Sequence, residues 1–275
     1  MTGRAGVADQ KAIFITGAAS GIGLAVAKHF SDRGWRVGLS DVNEPGLAAA
    51  ASGHPFPLDR TSTHALDVCD RNQWRAVLDA FAELSGGRLD VLFNNAGVPH
   101  GGPFAEAGWE GIDRVIAVNF TGAVNGARVG HAYLKRTPGS CLLNTASASA
   151  IYGSAGLAVY SATKFAVRAL TEALDAEWHA DGIKVRAIVP GFIDTPLLDQ
   201  TPEGSNRSIR EAVSDAGLEL TSVEAVAEAA WAAAHGDRVL TPVGPTARRL
   251  FFAARWMPGR LRRMMRRNAL GGREG

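Results

Sequence analysis

The chain has 275 residues, of which 46% are hydrophobic and 20% charged, and its net charge is +2. This size and composition are typical of one globular domain, and no apolar run approaches the ~20 residues of a membrane span. Two cysteines, Cys69 and Cys141, exclude a disulfide framework, and the seven histidines lack metal-ligand spacing. We therefore expect a soluble, cytoplasmic protein without a metal site or a nucleic-acid partner.

Short apolar runs alternate with helical patterns along the chain. In chain order, strands are predicted at Ala12–Thr16, Trp35–Ser40, His64–Val68, Asp90–Asn94, Ser140–Thr145, Lys184–Val189 and Arg238–Leu240. Helices are predicted at 22–32, 44–51, 70–84, in two segments within 107–136, and at 157–180 and 222–235. Such alternation favours a mostly parallel sheet with helices on both faces. The pattern predicts a single, doubly wound α/β domain over residues 10–246.

The remaining segment, residues 247–275, has a composition of its own. It holds nine arginines and one glutamate, a net charge of +8, so the other 246 residues carry −6. Pro258-Gly259 interrupts its helical pattern, which favours two short helices. An apolar stripe is predicted on one side at Leu250, Ala254, Met257, Leu261, Met264 and Met265. That stripe could lie on an anionic membrane, but we favour the alternative that it covers the protein's own cleft or a neighbouring subunit.

A glycine-rich turn, Thr16 to Gly23, joins the first strand to the first helix. Glycines there let the backbone approach a pyrophosphate, which the free N–H groups at the helix start would hold. The alternative is that the glycines only make a tight turn. The residues predicted to contact the cofactor in this turn are Gly17, Ser20, Gly21, Ile22 and Gly23.

Polar residues also follow three later strands. Asp41 ends the second strand, where a carboxylate can accept hydrogen bonds from both ribose hydroxyls and repels a 2′-phosphate, which favours NAD over NADP. The alternative is that Asp41 caps the following helix. Asp67 and Val68 end the third predicted strand, near the expected adenine position. Asn94 ends the fourth predicted strand, and it is predicted to contact the cofactor together with Ala96 and Gly97.

The most informative spacing is that of Tyr160 and Lys164, with Ser147 thirteen positions upstream. Four residues is about one helical turn, so the phenol and the ammonium are expected on one helix face. A positive charge at about 4 Å could lower the tyrosine pKa by two to three units, while Ser147 polarises the reacting oxygen. The alternative is an ordinary helix with an exposed lysine. Asn119, in a helical stretch of apolar spacing, is either a buried network residue or a catalytic one.

In these motifs the chain resembles the short-chain dehydrogenase/reductase family over about residues 10–244. The resemblance implies the strand order 3-2-1-4-5-6-7 and a nicotinamide cofactor. It implies that Tyr160 is the general acid or base, that Ser147 orients the substrate oxygen, and that Lys164 lowers the tyrosine pKa and hydrogen-bonds the nicotinamide ribose. Tyr160 and Lys164 are therefore also predicted cofactor contacts. Asn119 would hold a water that links Lys164 to solvent. The same resemblance assigns the carboxamide end of the cofactor to Pro190, Gly191, Ile193 and Thr195.

The expected function is therefore an NAD-dependent oxidoreductase that interconverts a secondary alcohol and a ketone. The alternatives are an NADPH-preferring ketoreductase acting on acyl or polyketide-like intermediates and, ranked last, a non-catalytic cofactor-sensing protein. The family resemblance suggests a homotetramer or homodimer built on the helices within 107–136 and 157–180. Apolar residues near the cleft favour an apolar substrate, and its predicted contacts are His100, Ser149, Tyr152 and Phe192.

Overall fold

The computed structural model describes residues 10–201, 206–215 and 217–267. Its centre is a parallel sheet of seven strands in the order β3-β2-β1-β4-β5-β6-β9, which confirms the predicted doubly wound fold and strand order. The seven strands are β1 (Ala12–Thr16), β2 (Arg36–Asp41), β3 (Thr61–Ala65), β4 (Val91–Asn94), β5 (Cys141–Thr145), β6 (Lys184–Pro190) and β9 (Leu240–Val243). A separate two-stranded pair is formed by β7 (Phe192–Ile193) and β8 (Leu220–Thr221).

The helices cover both faces of this sheet. They are α1 (Gly21–Ser31), α2 (Glu44–Ser52), α3 (Arg71–Leu84), α4 (Trp109–Ile116), α5 (Gly122–Leu134), α6 (Ala158–Glu177), α7 (Ile209–Asp215), α8 (Val223–His235), α9 (Gly244–Trp256) and α10 (Pro258–Arg267). A π-helical turn at Ala117–Thr121 joins α4 to α5, and a 3₁₀ turn at Ala148–Ala150 follows β5. Among the described helices, none is long and apolar enough to cross a bilayer.

Two predicted strands are shifted in the structure. β3 begins at Thr61 rather than His64, because its register against β2 pairs Val37 with Thr61. The apolar residues Leu66 and Val68 made the sequence after Ala65 resemble a strand. Both side chains are buried, but these residues lie in the segment that leads into α3. The last strand is Leu240–Val243 rather than Arg238–Leu240. It contains Pro242, which the sheet accommodates because β9 is an edge strand.

The sheet separates two apolar layers because side chains alternate along each strand. Ile13 and Ile15 pack with α1 and α8 on one face, whereas Phe14 packs with α3 and α5 on the other. Gly38 in β2 makes room for Phe14, since a Cβ there would come within 2.7 Å of that ring. This packing fixes the carboxyl edge of the sheet, where the site residues gather.

The C-terminal segment forms two helices, as predicted from Pro258-Gly259. α9 starts at Gly244, so the division of the chain at residue 246 stays a prediction. The inner side of α9 packs on the segment that follows β5 and on β6, through Ala247, Leu250, Phe251 and Ala254 against Ala146, Ala150, Ile151 and Val189. Much of the apolar side of this segment therefore covers the protein's own body.

Candidate active site

The glycine-rich turn between β1 and α1 can hold an anion. Gly17 and Gly21 adopt left-handed backbone conformations, with φ of 67° and 54°. A Cβ on Gly17 would come within 2.9 Å of the Ala96 Cα, and a Cβ on Gly23 would collide with the Gly17 carbonyl. The Ser20 hydroxyl forms no capping hydrogen bond with α1. The turn thus combines a glycine cradle with a helix N-terminus, the arrangement that binds a pyrophosphate.

Asn95, which sequence reasoning did not select, holds this turn in place. Its Nδ2 donates to the carbonyl oxygens of Thr16 and Gly17, at 3.0 and 3.2 Å. Its Oδ1 accepts a hydrogen bond of 3.1 Å from the Thr145 hydroxyl. One amide therefore connects the ends of β1, β4 and β5. The only sequence signal for a role of Asn95 was that it directly follows Asn94 at the end of β4.

Ser147, Tyr160 and Lys164 come together at the carboxyl end of β5, as predicted. α6 places Tyr160 and Lys164 one turn apart, and the Lys164 Nζ lies 5.8 Å from the centre of the tyrosine ring. The Ser147 hydroxyl lies near the Tyr160 phenol and acts through hydrogen bonding to lower its pKa. Lys164 is 5% exposed and its Nζ donates to the Thr145 carbonyl at 3.0 Å. The alternative of an exposed lysine on an ordinary helix is wrong.

Burial shifts the pKa values of both Tyr160 and Lys164. Burial raises the pKa of the Tyr160 phenol above its ordinary value, and the hydrogen bond with Ser147 offsets only part of that rise. Burial also lowers the pKa of Lys164 to about 8. Desolvation is the largest influence on both groups, and the ammonium is directed at the Thr145 carbonyl, so a lowering of the tyrosine pKa by Lys164 stays a prediction.

Asn119 lies in the π-helical turn and is 2% exposed. Its Oδ1 accepts from the Val98 N–H at 2.8 Å, and its Nδ2 donates to the Val98 carbonyl at 2.9 Å. The side chain therefore anchors the loop after β4. A Cβ on Gly97 would come within 3.3 Å of Asn119 Oδ1 and 3.5 Å of Lys164 Nζ, so Gly97 lies beside both side chains. The water relay through Asn119 stays a prediction.

The Asn94 side chain belongs to a buried hydrogen-bond network. Its Nδ2 donates to the Ala123 carbonyl and to Asn144 Oδ1, both at 3.1 Å. Asn144 in turn donates to the Thr171 hydroxyl at 2.9 Å. The Asn94 side chain is thus engaged in a buried network between the sheet, α5 and α6, because it points to the face opposite Phe93. Its Oδ1 is buried and has no hydrogen-bond partner within the described part of the chain, and a cofactor contact by Asn94 stays a prediction.

Asp41 lies beside the glycine-rich turn. Its carboxylate accepts hydrogen bonds from the Ala19 N–H at 3.1 Å and from the Asn43 N–H at 3.0 Å. The cap of α2 is Asn43, whose Oδ1 accepts from Gly46, so the alternative that Asp41 caps this helix is wrong. The carboxylate therefore stands at the end of β2, next to the turn.

The predicted adenine contacts have different environments. Asp67 is exposed, and its Oδ1 accepts from the Cys69 N–H at 2.9 Å. Val68 is buried, and its carbonyl accepts from the Trp74 indole at 2.9 Å. The Val68 side chain and carbonyl thus serve the packing of α3, whereas the Asp67 carboxylate remains accessible to a ligand.

The segment after β6 returns to the glycine-rich turn. The Gly191 N–H donates to the Val243 carbonyl at 3.1 Å, which holds the segment at the sheet edge beyond Pro190. Ile193 is buried, and the Thr195 methyl group lies 3.3 Å from the Cβ position of Gly21. The structure therefore brings this predicted contact segment against the turn.

The four predicted substrate contacts have different environments. Ser149, Tyr152 and Phe192 are all partly exposed, and the Ser149 N–H donates to the Ser147 hydroxyl at 3.1 Å. His100 packs against α4, 3.3 Å from the Cβ position of Gly111. Within the described part of the chain, its buried Nε2 has no hydrogen-bond partner.

Comparison with known proteins decides the family. The family model described as short chain dehydrogenase matches residues 11–206. The 2,5-dichloro-2,5-cyclohexadiene-1,4-diol dehydrogenase LinX of Sphingobium indicum is 36% identical over 198 residues, covering 70% of this chain and 76% of that protein. The chain belongs to the short-chain dehydrogenase/reductase family.

Two further similarities concern reductases. The 3-oxoacyl-(acyl-carrier-protein) reductase FabG of Thermotoga maritima is 35% identical, covering 71% of this chain and 79% of that protein. The crystal structure of 3-ketoacyl-(acyl-carrier-protein) reductase from Brucella melitensis, complexed with NADH, is 28% identical with a TM-score of 0.76. It covers 86% of this chain and 98% of that one. This short-chain dehydrogenase/reductase is accordingly an oxidoreductase that transfers hydride between a nicotinamide cofactor and an alcohol or carbonyl group of a small molecule.

The glycine cradle yields a prediction. Gly23→Ala is expected to abolish measurable NADH binding, because the new methyl group would collide with the Gly17 carbonyl and displace the turn. Gly53→Ala is the matched control, since a Cβ there would come no closer than 3.2 Å to the Ala49 carbonyl. Calorimetric titration with NADH measures both variants. Binding by Gly23→Ala at the wild-type affinity would show that this turn does not hold the cofactor.

Proposed function

We propose that the chain is an NAD(H)-dependent oxidoreductase that interconverts a secondary alcohol and a ketone of apolar character. The observation that carries this proposal is that the Ser147 hydroxyl lies near the Tyr160 phenol, which is one helical turn from Lys164. All three residues lie at the sheet edge that also carries the glycine-rich turn. Two neighbouring hydroxyls can bind one substrate oxygen, and the phenol can exchange a proton with it.

The residues present fit a dinucleotide. The glycine cradle and the start of α1 would hold the pyrophosphate, Asp41 the adenosine ribose, and Asp67 the adenine amino group. The segment from Gly191 to Thr195 would hold the carboxamide, and Lys164 the second ribose. When bound, the nicotinamide ring supplies the hydride donor or acceptor. The protein positions the substrate carbon against it.

Side chains of the protein carry out the proton transfer. Because its pKa is raised, the Tyr160 phenol is protonated at neutral pH and can donate to a carbonyl oxygen during reduction. Ser147 would stabilise the negative charge that develops on that oxygen. The Lys164 ammonium, charged below a pKa of about 8, would stabilise the phenolate left behind. Oxidation runs through the reverse transfer and should be favoured at more alkaline pH.

The preference for NAD rests on Asp41. Its carboxylate stands beside Ala19, and neither Ala19 nor Ser20 offers the positive charge that a 2′-phosphate requires. The NADH complex of the Brucella melitensis reductase supports this choice, although a more distant family structure from Burkholderia cenocepacia contains NADP. The second candidate is an NADPH-preferring ketoreductase on acyl intermediates, which the similarity to FabG favours.

Cofactor choice can be tested at Asp41. The wild type is expected to prefer NADH over NADPH by about a hundredfold in kcat/KM, and Asp41→Ala to reduce that preference at least tenfold. The reason is that hydrogen bonds to a charged group contribute about 1.5–3 kcal/mol. Glu44→Ala removes an exposed carboxylate three residues away and should leave the preference unchanged. A wild type that prefers NADPH would contradict the NAD assignment and support the ketoreductase.

Substrate class requires a direct screen. Secondary alcohols with NAD and ketones with NADH, spanning aliphatic, alicyclic and acyl-thioester compounds, are followed by cofactor absorbance. The partly or fully buried apolar side chains of Ile151, Leu157 and Leu198 near the site support an apolar substrate. Tight NADH binding without turnover of any compound would instead support a cofactor-sensing protein.

The proposal also includes an oligomeric state and a cellular location. Trp109 on α4 is 79% exposed and Phe165 on α6 is 38% exposed, which supports association through these helices as a homodimer or homotetramer. Cys69 and Cys141 are free thiols, which supports a reducing, cytoplasmic location.

A further inference from the structure

The outward side of α9 and α10 forms a basic surface that the proposed reaction does not use. We call it the tail surface and define it by the exposed residues Arg248, Arg249, Phe252, Arg255, Trp256, Arg260, Arg262, Arg263 and Arg266. The inner side of α9 is already occupied, because Ala247, Leu250 and Ala254 pack on the body. Part of the apolar stripe for which a membrane contact was considered therefore packs on the body, and the opposite side of α9 is exposed.

The charge of the tail surface has one sign. Residues 244–267 contain no aspartate or glutamate, whereas residues 1–246 together carry −6. No carboxylate in the described ranges forms an ion pair with any of the seven arginines of the tail surface. The positive field is therefore not neutralised within the chain and favours an anionic partner.

Two large aromatic side chains lie within this field. Phe252 and Trp256 are 59% and 68% exposed, and their four-residue spacing places them on one side of α9, between Arg249 and Arg248. Arg255 stacks over the Trp256 ring at 5.8 Å. Met257 and Met264 add further exposed apolar surface. An electrostatic partner alone, such as a nucleic-acid backbone, would gain little from such side chains.

We propose that the tail surface docks this protein on an anionic lipid bilayer. The arginines would meet the headgroups, while Phe252 and Trp256 enter the boundary between headgroups and acyl chains, as in interfacial amphipathic helices. The inner side of α9 contacts the turn at Ala148–Ala150, directly after Ser147. Docking would thus hold the proposed cleft about one helix diameter, ~10 Å, from the lipid surface. An apolar substrate could then reach the cleft from the membrane.

Sedimentation with vesicles tests this proposal on the full chain. Binding is expected to vesicles with about 30% phosphatidylglycerol but not to phosphatidylcholine alone, and to weaken when salt rises from about 0.1 to 1 M. Phe252→Ala/Trp256→Ala should weaken partitioning at least tenfold. Arg249→Gln/Arg263→Gln should weaken it about thirtyfold, at roughly fivefold per arginine.

The matched control is Arg75→Gln/Arg238→Gln, which removes the same charge from exposed positions outside the tail and should bind like the wild type. Unchanged circular dichroism and turnover without vesicles would show that the variants are folded. Equal sedimentation with both vesicle types, or an equal loss in the control pair, would overturn the proposal. So would stoichiometric binding of an oligonucleotide, or of a second copy of the chain, through the same residues without vesicle binding.

Discussion

Tyr160→Phe is expected to lower kcat by about a thousandfold or more while the affinity for NADH stays within about twofold of the wild type. The substitution removes one oxygen atom from a partly buried ring, and with it the only proposed proton donor to the substrate oxygen. General acid–base catalysis contributes ~10²–10⁴ to enzymatic rates, which sets the expected size of the loss. Steady-state turnover and calorimetric titration with NADH measure the two quantities separately.

The chain offers a matched control in Tyr133. Its phenol donates to Asp79 at 2.6 Å, on a face formed by α3 and α5, and it has no proposed role in turnover. Tyr133→Phe should therefore lower stability slightly and leave kcat unchanged. If Tyr160→Phe turned over substrate at the wild-type rate, proton transfer by Tyr160 would be refuted, whatever the cofactor affinity.

Lys164→Met is expected to abolish most turnover and, at pH 7, to raise the free energy of unfolding. The difference between the ordinary lysine pKa of 10.5 and about 8 corresponds to roughly 3 kcal/mol. Loss of the hydrogen bond to the Thr145 carbonyl removes about 1 kcal/mol, so a net gain of about 2 kcal/mol is expected. A substitution that stabilises the fold while removing activity is typical of a residue kept for chemistry.

The difference in the free energy of unfolding between the wild type and Lys164→Met should depend on pH. Burial disfavours the charged lysine, so between pH 8 and 10.5 the unfolded chain binds more protons than the folded chain. The wild type should therefore gain stability relative to Lys164→Met as the pH rises through this window, and the gain should be lost as the pH falls to 8. Denaturant unfolding at several pH values measures the difference.

Lys28→Met is the matched control, because Lys28 is half-buried on α1, away from the site. Lys28→Met should leave turnover unchanged. If Lys164→Met destabilised the protein at pH 7 by more than the lost hydrogen bond, Lys164 would be a structural cation and not a desolvated catalytic one.

Local patterns were sufficient for the elements and for most of the site. The spacing of Tyr160 and Lys164 predicts one helix face because helical geometry is local, and α6 confirms it. Strand order followed from the family resemblance. The start of β3 was predicted wrongly because Leu66 and Val68 are buried without belonging to the sheet, and burial alone does not distinguish a strand from an extended segment.

Contacts between distant residues could not be predicted in this way. Asn95 bonds carbonyl groups that lie 78 and 79 residues away in the chain, and no periodicity marks a residue whose partners are main-chain atoms. The cofactor contact predicted for Asn94 stays a prediction, and the network that links its Nδ2 to Asn144 and Thr171 has no counterpart in the local pattern. Which of two adjacent asparagines faces the turn depends on how β4 meets α5.

By itself, the sequence determined the alternation of strands and helices, the glycine-rich turn, and the residue types at Ser147, Tyr160 and Lys164, because these depend on composition and short spacings. Only the tertiary structure decided the electrostatic state of that site. Burial raises the tyrosine pKa and lowers the lysine pKa, and burial depends on every element packed around the pair. The tertiary structure likewise decided that the apolar side of α9 faces the body, which leaves Phe252, Trp256 and the arginines outward.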